Sequence, residues 1–306
     1  MAITTRTATV DQDTAGRVDL IVRELSGSSR SQVRGMVDHG CVSINGTVCA
    51  STAKTVAPGD VVTLVFNDAQ KYKEKKKKWD DRSFSVIFED EYLIVVDKSA
   101  GTLTIPTDHY ERNTLVDRVG IYLSHSRSRR QAWLVHRLDR AVSGLLVFGK
   151  HERIAEILVE QFLQRKPERS YIAIVAGVMS DDQGSFRGHL STGKNLDRFV
   201  TAPSSRSEAA VTNYRVLKRM SDATLIELTL ETGKRNQIRV HLADADHPVL
   251  GDPRYKVEQA VHPRWIRKRI ALHASTLGFI HPVSGETVSF ESPLPSAMQK
   301  FIAGGK

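Results

Sequence analysis

The feature that most constrains this fold is a charge block at residues 71–82, KYKEKKKKWDDR, which holds seven Lys or Arg against three Asp or Glu. A block of like charges rarely packs into a hydrophobic core. The chain has 306 residues, a length that is typical of two domains and long for one. We therefore predict a basic linker at 71–82 between a small domain at residues 16–70 and a larger one at residues 83–306.

Residues 1–15 are rich in Thr and contain two aspartates, but they have no apolar segment of the kind that a secretory signal needs. We predict that they form a disordered tail. The longest apolar runs, such as Tyr92 to Val96, are far shorter than the roughly 18 residues that suggest a membrane span. No membrane association is therefore expected.

The net charge of +9 favours an anionic partner, with RNA or DNA as the leading candidates. Residues 1–70 nevertheless hold six Lys or Arg against seven Asp or Glu, so RNA affinity there must depend on where the arginines lie. The two cysteines, Cys41 and Cys49, match neither a disulfide framework nor a zinc motif. We interpret them as small core residues of a cytoplasmic protein.

The small domain begins with helical signals. Ser29 or Ser31 can cap a helix whose apolar residues recur at helical spacing from Val33 to Val37, and Gly40 is a stop signal. An Asn45-Gly46 pair between alternating apolar residues then predicts a hairpin. The Pro58-Gly59-Asp60 turn precedes a predicted strand at Val61 to Phe66.

About fifty residues of this segment resemble the S4 RNA-binding domain. The residues that carry the resemblance are Arg17-Val-Asp19, Ser29-Arg-Ser-Gln32, Gly40-Cys-Val42 with Asn45-Gly46, and Gly59-Asp60. Arg30 and Arg34 are four apart, so they lie along one flank of the predicted helix. The resemblance implies that they contact the RNA backbone, whereas a solvated helix face is the alternative. Lys75, Lys76 and Lys77 of the linker are candidates for phosphate contact, with a solubilising spacer as the alternative.

The larger domain mixes strands and helices. We predict strands at Phe84 to Phe88, Tyr92 to Val96, Leu145 to Phe148, Tyr171 to Val175, Val211 to Leu217, Thr224 to Leu230 and Leu272 to Phe279. We predict helices at Leu115 to Leu123, Ile154 to Phe162 and Gln237 to Ala245. Because the strands come in runs and do not alternate strictly with helices, we predict an α+β fold with a largely antiparallel sheet.

The segment His136-Arg-Leu-Asp-Arg-Ala-Val-Ser-Gly144 lies just before one of these strands. Taken alone, Asp139 is typical of a turn aspartate. The segment resembles, however, the H-R-L-D-x-x-T-S-G pattern of the RluA family of pseudouridine synthases. Further stretches match the family in order: Asp97-Lys-Ser-Ala-Gly101, Glu168-Arg-Ser-Tyr171 with Gly177, Thr232 to Leu242 with His247-Pro248 and Gly251-Asp252, Leu272-His273-Ala274 and His281-Pro282.

Four positions depart from the family pattern. Val142 stands where threonine is usual, Ser99 where proline is usual, and Lys234 and Asn236 where arginine and histidine are usual. None of them is a residue to which the resemblance gives a role in making or breaking bonds.

The resemblance implies a pseudouridine-synthase-like mixed, largely antiparallel sheet flanked by helices. It implies isomerisation of uridines in structured RNA, and by analogy with members that carry an S4 domain the substrate is large-subunit ribosomal RNA. The base is detached at N1, turned and rejoined at C5, which needs neither redox nor phosphate energy. We therefore expect no cofactor, and the histidine and cysteine spacing predicts no metal. We expect a monomer.

The resemblance also implies roles for five residues. Asp139 is the essential carboxylate, and whether it attacks the sugar, attacks the base or removes a sugar proton stays open. Arg239 is its cationic partner. Tyr171 stacks on a flipped-out uridine and helps to remove the C5 proton. Arg137 supports the extruded nucleotide, and Leu272 forms an apolar wall beneath the base.

Other functions remain open from the sequence. One is a non-catalytic RNA-binding or ribosome-assembly protein on a synthase fold, and another is a synthase that acts on tRNA. A glycosidase would need a second acid near Asp139. His136 is expected to structure its loop, with proton transfer as the less favoured role.

Overall fold

The computed structural model describes residues 3–49, 51–70, 72, 81–107, 110–124, 131–193, 197–265 and 269–304. The chain separates into two compact units, residues 1–80 and 81–306. The division falls inside the charge block. Lys75, Lys76 and Lys77, the linker candidates for phosphate contact, lie outside the described residues.

The first unit contains six strands and two helices among its described residues. They are β1 (Ile3–Thr9), β2 (Gly16–Arg17), α1 (Val18–Ser26), α2 (Arg30–Asp38), β3 (Val42–Ile44), β4 (Thr47–Val48), β5 (Thr55–Val56) and β6 (Val61–Asn67). Four strands form an antiparallel sheet in the order β1-β6-β3-β4, and β2 pairs with β5. Both helices pack on one apolar core that includes Cys49, with Cys41 against its edge, so the prediction that the two cysteines are core residues is confirmed.

Local sequence signals account for the shape of this unit. The Ser29 side chain accepts the N–H of Gln32, and the Gln32 side chain accepts the N–H of Ser29, which completes a capping box at the start of α2. The two predicted turns are joined, because Asn45 donates to the Asp60 carboxylate and accepts the N–H of Val61. The helix, the hairpin and the turn before β6 are therefore confirmed.

The prediction of a disordered tail at residues 1–15 is wrong for residues 3–9, which form β1. The strand pairs along its whole length with β6, from Ile3 opposite Asn67 to Thr9 opposite Val61. Its side chains are mostly exposed, so it shows no apolar signal. The backbone bonds that hold it come from a strand more than fifty residues away, and its Thr-rich sequence suits an extended backbone.

The second unit is built on one large sheet. Its elements are β7 (Phe84–Glu89), β8 (Leu93–Lys98), α3 (Leu115–Ser124), β9 (Trp133–Leu134), β10 (Ser143–Gly149), α4 (Glu152–Leu163), β11 (Glu168–Ala176), β12 (Gln183–Thr192), β13 (Arg198–Thr201), β14 (Glu208–Arg219), β15 (Ala223–Leu230), α5 (Gln237–Asp244), α6 (Val257–Ala260), β16 (Leu272–Ile280), β17 (Thr287–Glu291) and α7 (Ser296–Ile302). The strand order is β13-β12-β14-β15-β11-β16-β10-β8-β7, with β17 on β16 and β9 on β10.

Every pairing in this sheet among the described residues is antiparallel except β10 with β16. The predicted α+β architecture is therefore confirmed, and each predicted strand and helix of this unit is found. The sequence did not predict β9, β12, β13, β17, α6 or α7. No helix among the described residues is both long enough and apolar enough to cross a bilayer.

The parallel contact depends on Gly144, which pairs with Ala274. Gly144 has a φ of +121°, and a Cβ there would lie 2.2 Å from the Ala274 carbonyl oxygen. Only glycine allows the two backbones to approach this closely. Because Gly144 follows Asp139 by five residues, this contact anchors one end of the loop that carries Asp139.

Candidate active site

Asp139 lies in the loop between β9 and β10, and the backbone on both sides of it is fixed. The Thr104 hydroxyl donates to the Leu138 carbonyl at 2.7 Å. The Arg140 carbonyl accepts the N–H of Gly101 at 2.7 Å. The segment after β8 therefore holds the peptide units that flank Asp139, while the carboxylate itself is 29% exposed.

Lys98, at the end of β8, adds a second support for this loop. Its side chain is fully buried, and its Nζ donates to the carbonyls of Ser99, Thr102 and Arg140. Burial lowers the pKa of Lys98 to about 7, although the negative charge of Asp139 opposes that shift. The sequence placed Lys98 in a family motif but gave it no role. The structure shows that it ties three carbonyls around the Asp139 loop.

Arg239 lies on α5, whose residues Gln237 to Ala243 are all buried. A guanidinium in such a helix must be paired, because an isolated buried charge is costly. Its Nη1 donates to Asp139 Oδ2 at 2.8 Å, and its Nε and Nη2 donate to both oxygens of Asp252 at 2.7 and 2.8 Å. Burial alone would lower the pKa of Arg239, but the bonds and charges of Asp252 and Asp139 outweigh it and raise the pKa.

These groups face a cleft of about 290 Å³ within the second unit. Its lining residues are Arg137, Leu138, Asp139, Val142, Tyr171, Leu230, Gly233, Lys234, Arg235, Asn236, Gln237, Ile238, Arg239 and Leu272. Apolar walls with a few convergent charged groups are typical of a ligand site.

Tyr171 and Leu272 come from neighbouring strands of the large sheet, β11 and β16, which pair with each other. Both side chains are largely buried, at 8% and 4% exposure. Burial raises the pKa of the Tyr171 hydroxyl, and the negative charge of Asp139 acts in the same direction against the charge of Arg169. Tyr171 therefore presents a neutral phenol to the cleft at neutral pH.

Three polar residues also line the cleft. Arg137 is exposed. Lys234 is bound to Glu208 by an ion pair of 2.8 Å. Asn236 accepts a hydrogen bond from Arg239 Nη1 at 3.1 Å, so the amide that departs from the family pattern shares the nitrogen that reaches Asp139.

His136 packs inside the loop and does not line the cleft. Its ring stacks on Phe162 with centroids 4.5 Å apart, and its Nε2 accepts the N–H of Val147 at 3.2 Å. Burial lowers the pKa of His136 to about 3, and the positive charge of Arg169 acts in the same direction. These contacts agree with the structural role expected from the sequence.

Behind the loop, Ser143 and His273 form a contact that resembles a serine hydrolase pair, with Ser143 Oγ 3.0 Å from His273 Nδ1. Arg269 Nη2 donates to the same hydroxyl at 3.1 Å. Ser143 and His273 are 4% and 1% exposed. Since neither lines the cleft, the pair joins β10 to β16 and serves packing.

The five cleft residues named from the sequence, Asp139, Arg239, Tyr171, Arg137 and Leu272, all line this one cleft. They come from segments up to 135 positions apart in the chain. The remaining described candidates, two arginines of α2, are exposed on the first unit.

Sequence reasoning missed Asp252 as a functional residue, although the Gly251-Asp252 pair was part of the matched pattern. It is the second carboxylate of this network, as a glycosidase would require. Its side chain is only 1% exposed and does not line the cleft, so it cannot serve as an acid or base for a substrate there. The sequence placed Asp252 in a matched motif but gave no sign that its partner is Arg239.

Known proteins share this organisation. Residues 92–244 match the family described as RNA pseudouridylate synthase, and residues 17–62 match the S4 domain. The chain is 34% identical over 277 residues to an uncharacterized RNA pseudouridine synthase, YlyB, of Bacillus subtilis, across 90% of this chain and 88% of that protein.

A second relative is named ribosomal large subunit pseudouridine synthase D, from Zymomonas mobilis. It is 33% identical over 285 residues, across 89% of this chain and 87% of that protein. Among solved structures, human RNA pseudouridylate synthase domain containing 4 superposes with a TM-score of 0.59 at 23% identity, across 71% of this chain and 91% of that one. That structure shares the fold.

Proposed function

Since this chain belongs to the RNA pseudouridine synthase family, we propose that it isomerises specific uridines of large-subunit ribosomal RNA, with Asp139 as the essential carboxylate. Relatives named for the ribosomal large subunit match nearly the whole chain, S4 domain included. The observation that carries the catalytic part is the 2.8 Å ion pair of Asp139 with Arg239 in a cleft that Tyr171 also lines.

The cleft suits a single base that has left its helix. A uridine stacked in a duplex cannot reach a carboxylate that lines a pocket, so the nucleotide must be extruded. Tyr171 and Leu272 provide an aromatic and an apolar surface for the base. The exposed Arg137 at the cleft can hold the backbone of the extruded nucleotide through a phosphate contact.

Asp139 is equipped for each of the roles that a carboxylate can play in this isomerisation. Attack on C1′, attack on the base and removal of a sugar proton all need an ionised carboxylate with an oxygen open to the substrate. Arg239 donates from Nη1 to Oδ2 and places a positive charge beside the carboxylate. Among the described residues none donates a hydrogen bond to Oδ1, so this oxygen is open to the uridine.

The proposal is tested by mapping pseudouridines in total RNA from cells that lack this protein. We expect one or a few positions of large-subunit ribosomal RNA to lose the modification. Wild-type protein and Asp181→Asn, a control at an exposed aspartate in the turn before β12, should restore them. Asp139→Ala should not restore them but should keep RNA affinity. Loss confined to tRNA would overturn the ribosomal assignment, and restoration by Asp139→Ala would overturn the catalytic one.

Tyr171 gives a second, independent test. Base stacking on an aromatic ring contributes about 1–3 kcal/mol. Tyr171→Ala should therefore raise KM about tenfold or more, whereas Tyr171→Phe keeps the ring and should leave KM near the wild-type value. Equal KM values for the two variants would show that the ring does not stack on the base.

A further inference from the structure

Arg239 meets its two carboxylates through different edges of the guanidinium. The edge formed by Nε and Nη2 is paired with both oxygens of Asp252, whereas the remaining nitrogen, Nη1, reaches Asp139 Oδ2 and Asn236. The Asp252 pair is bidentate and the Asp139 pair is not. Arginine binds carboxylates most strongly in the bidentate mode. Some contact must therefore keep Arg239 from binding both oxygens of Asp139.

Asp252 is held rigidly in the position that imposes this geometry. Its side chain is 1% exposed, and Oδ1 also accepts the backbone N–H groups of Arg254 and Tyr255 at 2.9 and 3.1 Å. The residue before it, Gly251, has a φ of +75°, and a Cβ there would lie 2.1 Å from the Arg269 carbonyl oxygen. The loop that carries Asp252 therefore packs against neighbouring backbone and cannot shift easily.

The guanidinium is held on its face as well as on its edges. The Tyr255 ring lies against it, with 5.1 Å between the guanidinium carbon and the ring centroid. The Tyr255 hydroxyl in turn accepts a hydrogen bond from Asn236. With its face and one edge occupied, the Arg239 side chain has little freedom to rotate towards Asp139.

We propose that Asp252 is a positioning residue for the reaction. By pairing with the Nε and Nη2 edge of Arg239, it makes Arg239 meet Asp139 through one nitrogen only and leaves Asp139 Oδ1 free for the uridine. Without Asp252, Arg239 turns Nη1 and Nη2 towards Asp139 and binds both of its oxygens. Asp252 itself touches no substrate. This inference rests on the proposed function, in which Asp139 acts on the uridine.

The first test compares Asp252→Asn with Asp244→Asn in the full-length protein. Asp244 is an exposed residue of the same helix as Arg239 and serves as the matched control. Misplacing a catalytic group by about 1 Å can cost about 10²-fold in rate. We therefore expect Asp252→Asn to lower kcat about 10²-fold with KM within about threefold, because the base-binding walls are untouched. A normal kcat would overturn the proposal.

A double-variant cycle separates positioning from general support of the fold. Lysine has no second nitrogen and cannot bind both oxygens of Asp139 in this way. In an Arg239→Lys background, Asp252→Asn should therefore lower kcat by less than about threefold more. The same 10²-fold loss in both backgrounds would show a structural role and overturn the proposal. If Asp252→Asn does not fold, Asp252→Glu, which displaces the carboxylate but keeps its charge, takes its place in the cycle with the same expectations.

A crystal structure of the folded Asp252 variant measures the geometry directly and without RNA. We expect Arg239 Nη1 and Nη2 to bind both Asp139 oxygens, each at about 2.8 Å. A single contact through Nη1, as in the wild-type protein, would overturn the proposal. Because this measurement involves no substrate, its failure is distinct from a failure of the proposed function, which would appear as a wild-type protein that makes no pseudouridine.

Discussion

Two arginine–aspartate pairs of this protein have the same bidentate hydrogen-bond geometry but differ in their exposure to water. In the first unit, Arg17 donates from Nε and Nη2 to the two oxygens of Asp19 at 3.0 and 2.9 Å. In the second unit, Arg239 donates from the same two atoms to Asp252 at 2.7 and 2.8 Å. The side chains are 57% and 23% exposed in the first pair but 9% and 1% in the second.

This difference in burial decides what each pair can do. Water competes with the Arg17–Asp19 pair, so a pair of this kind adds little to stability. The Arg239–Asp252 pair is shielded from water, and removing Arg239 leaves the Asp252 carboxylate buried without a compensating charge. Only a buried pair of this kind can therefore fix the orientation of a side chain, which here is the guanidinium of Arg239.

The same contrast holds for the two units as sites for RNA. The candidate residues of the first unit, Arg30 and Arg34, are both exposed on one helix. The cleft of the second unit combines residues from several strands, loops and a buried helix. Affinity can be shared among such surface residues, whereas the cleft depends on the fold to bring its residues together.

The difference in burial predicts that the largest difference in the free energy of unfolding will be between Arg239→Ala and Arg17→Ala. We expect Arg239→Ala to lower the free energy of unfolding of the second unit by about 3–5 kcal/mol, because Asp252 is left buried and unpaired. Arg17→Ala should leave the unfolding of the first unit unchanged within error. Calorimetry of the full-length variants measures both. Equal losses for the two variants would show that burial does not distinguish the pairs.

The next largest effect on the free energy of unfolding is expected when either of two glycines is replaced by alanine. Gly144→Ala should cost about 2–3 kcal/mol in the free energy of unfolding of the second unit, since its Cβ meets the Ala274 backbone and φ is strained. Gly46 also has a positive φ, of +81°, but no atom within 4 Å of an added Cβ. Gly46→Ala should therefore cost only the strain, about 1 kcal/mol. Urea unfolding compares them, and a larger loss at Gly46 would contradict the close β10–β16 approach.

A smaller effect concerns the pH dependence of the second unit. His136 has a pKa of about 3 in the folded protein and 6.5 when unperturbed, so between these values the unfolded chain binds a proton that the folded chain does not. Stability should be complete above pH 6.5 and fall as the pH drops towards 3, by at most about 1.4 kcal/mol per pH unit. His136→Asn should make this slope shallower. An identical slope in urea unfolding at several pH values would mean that His136 is charged in the fold.

The smallest effect is expected on the exposed face of the first unit. Replacing Arg30 and Arg34 together by Ala should weaken binding to structured RNA about threefold to tenfold and reduce its salt dependence by about two phosphate contacts, with kcat unchanged. The control replaces Arg153 and Arg165, two exposed arginines of the second unit, and removes the same charge. Equal weakening by both double variants would show that net charge, and not the helix face, attracts the RNA.

The parts of the fold and of the site that the sequence predicted are those encoded by local patterns. The helix over Arg30–Asp38 follows from a capping box and apolar spacing that lie within ten residues of sequence. The hairpin follows from the two residues Asn45-Gly46 alone. The strand Ile3–Thr9 was missed because its partner lies more than fifty residues away and its own side chains are mostly exposed. Lys98 and Asp252 stood in recognisable motifs, but their roles depend on carbonyls and a guanidinium that no motif spacing reveals.

The sequence by itself predicted two domains joined near residues 71–82 and the α+β class, because charge blocks and hydrophobic periodicity are local features of the chain. Its resemblance to the RluA family indicated Asp139, Tyr171 and Arg239 as candidate site residues. Only the tertiary structure decided that Arg239 meets Asp139 through one nitrogen while Asp252 holds the other edge. Such a choice depends on which groups are buried together, and burial is set by contacts between segments far apart in the chain.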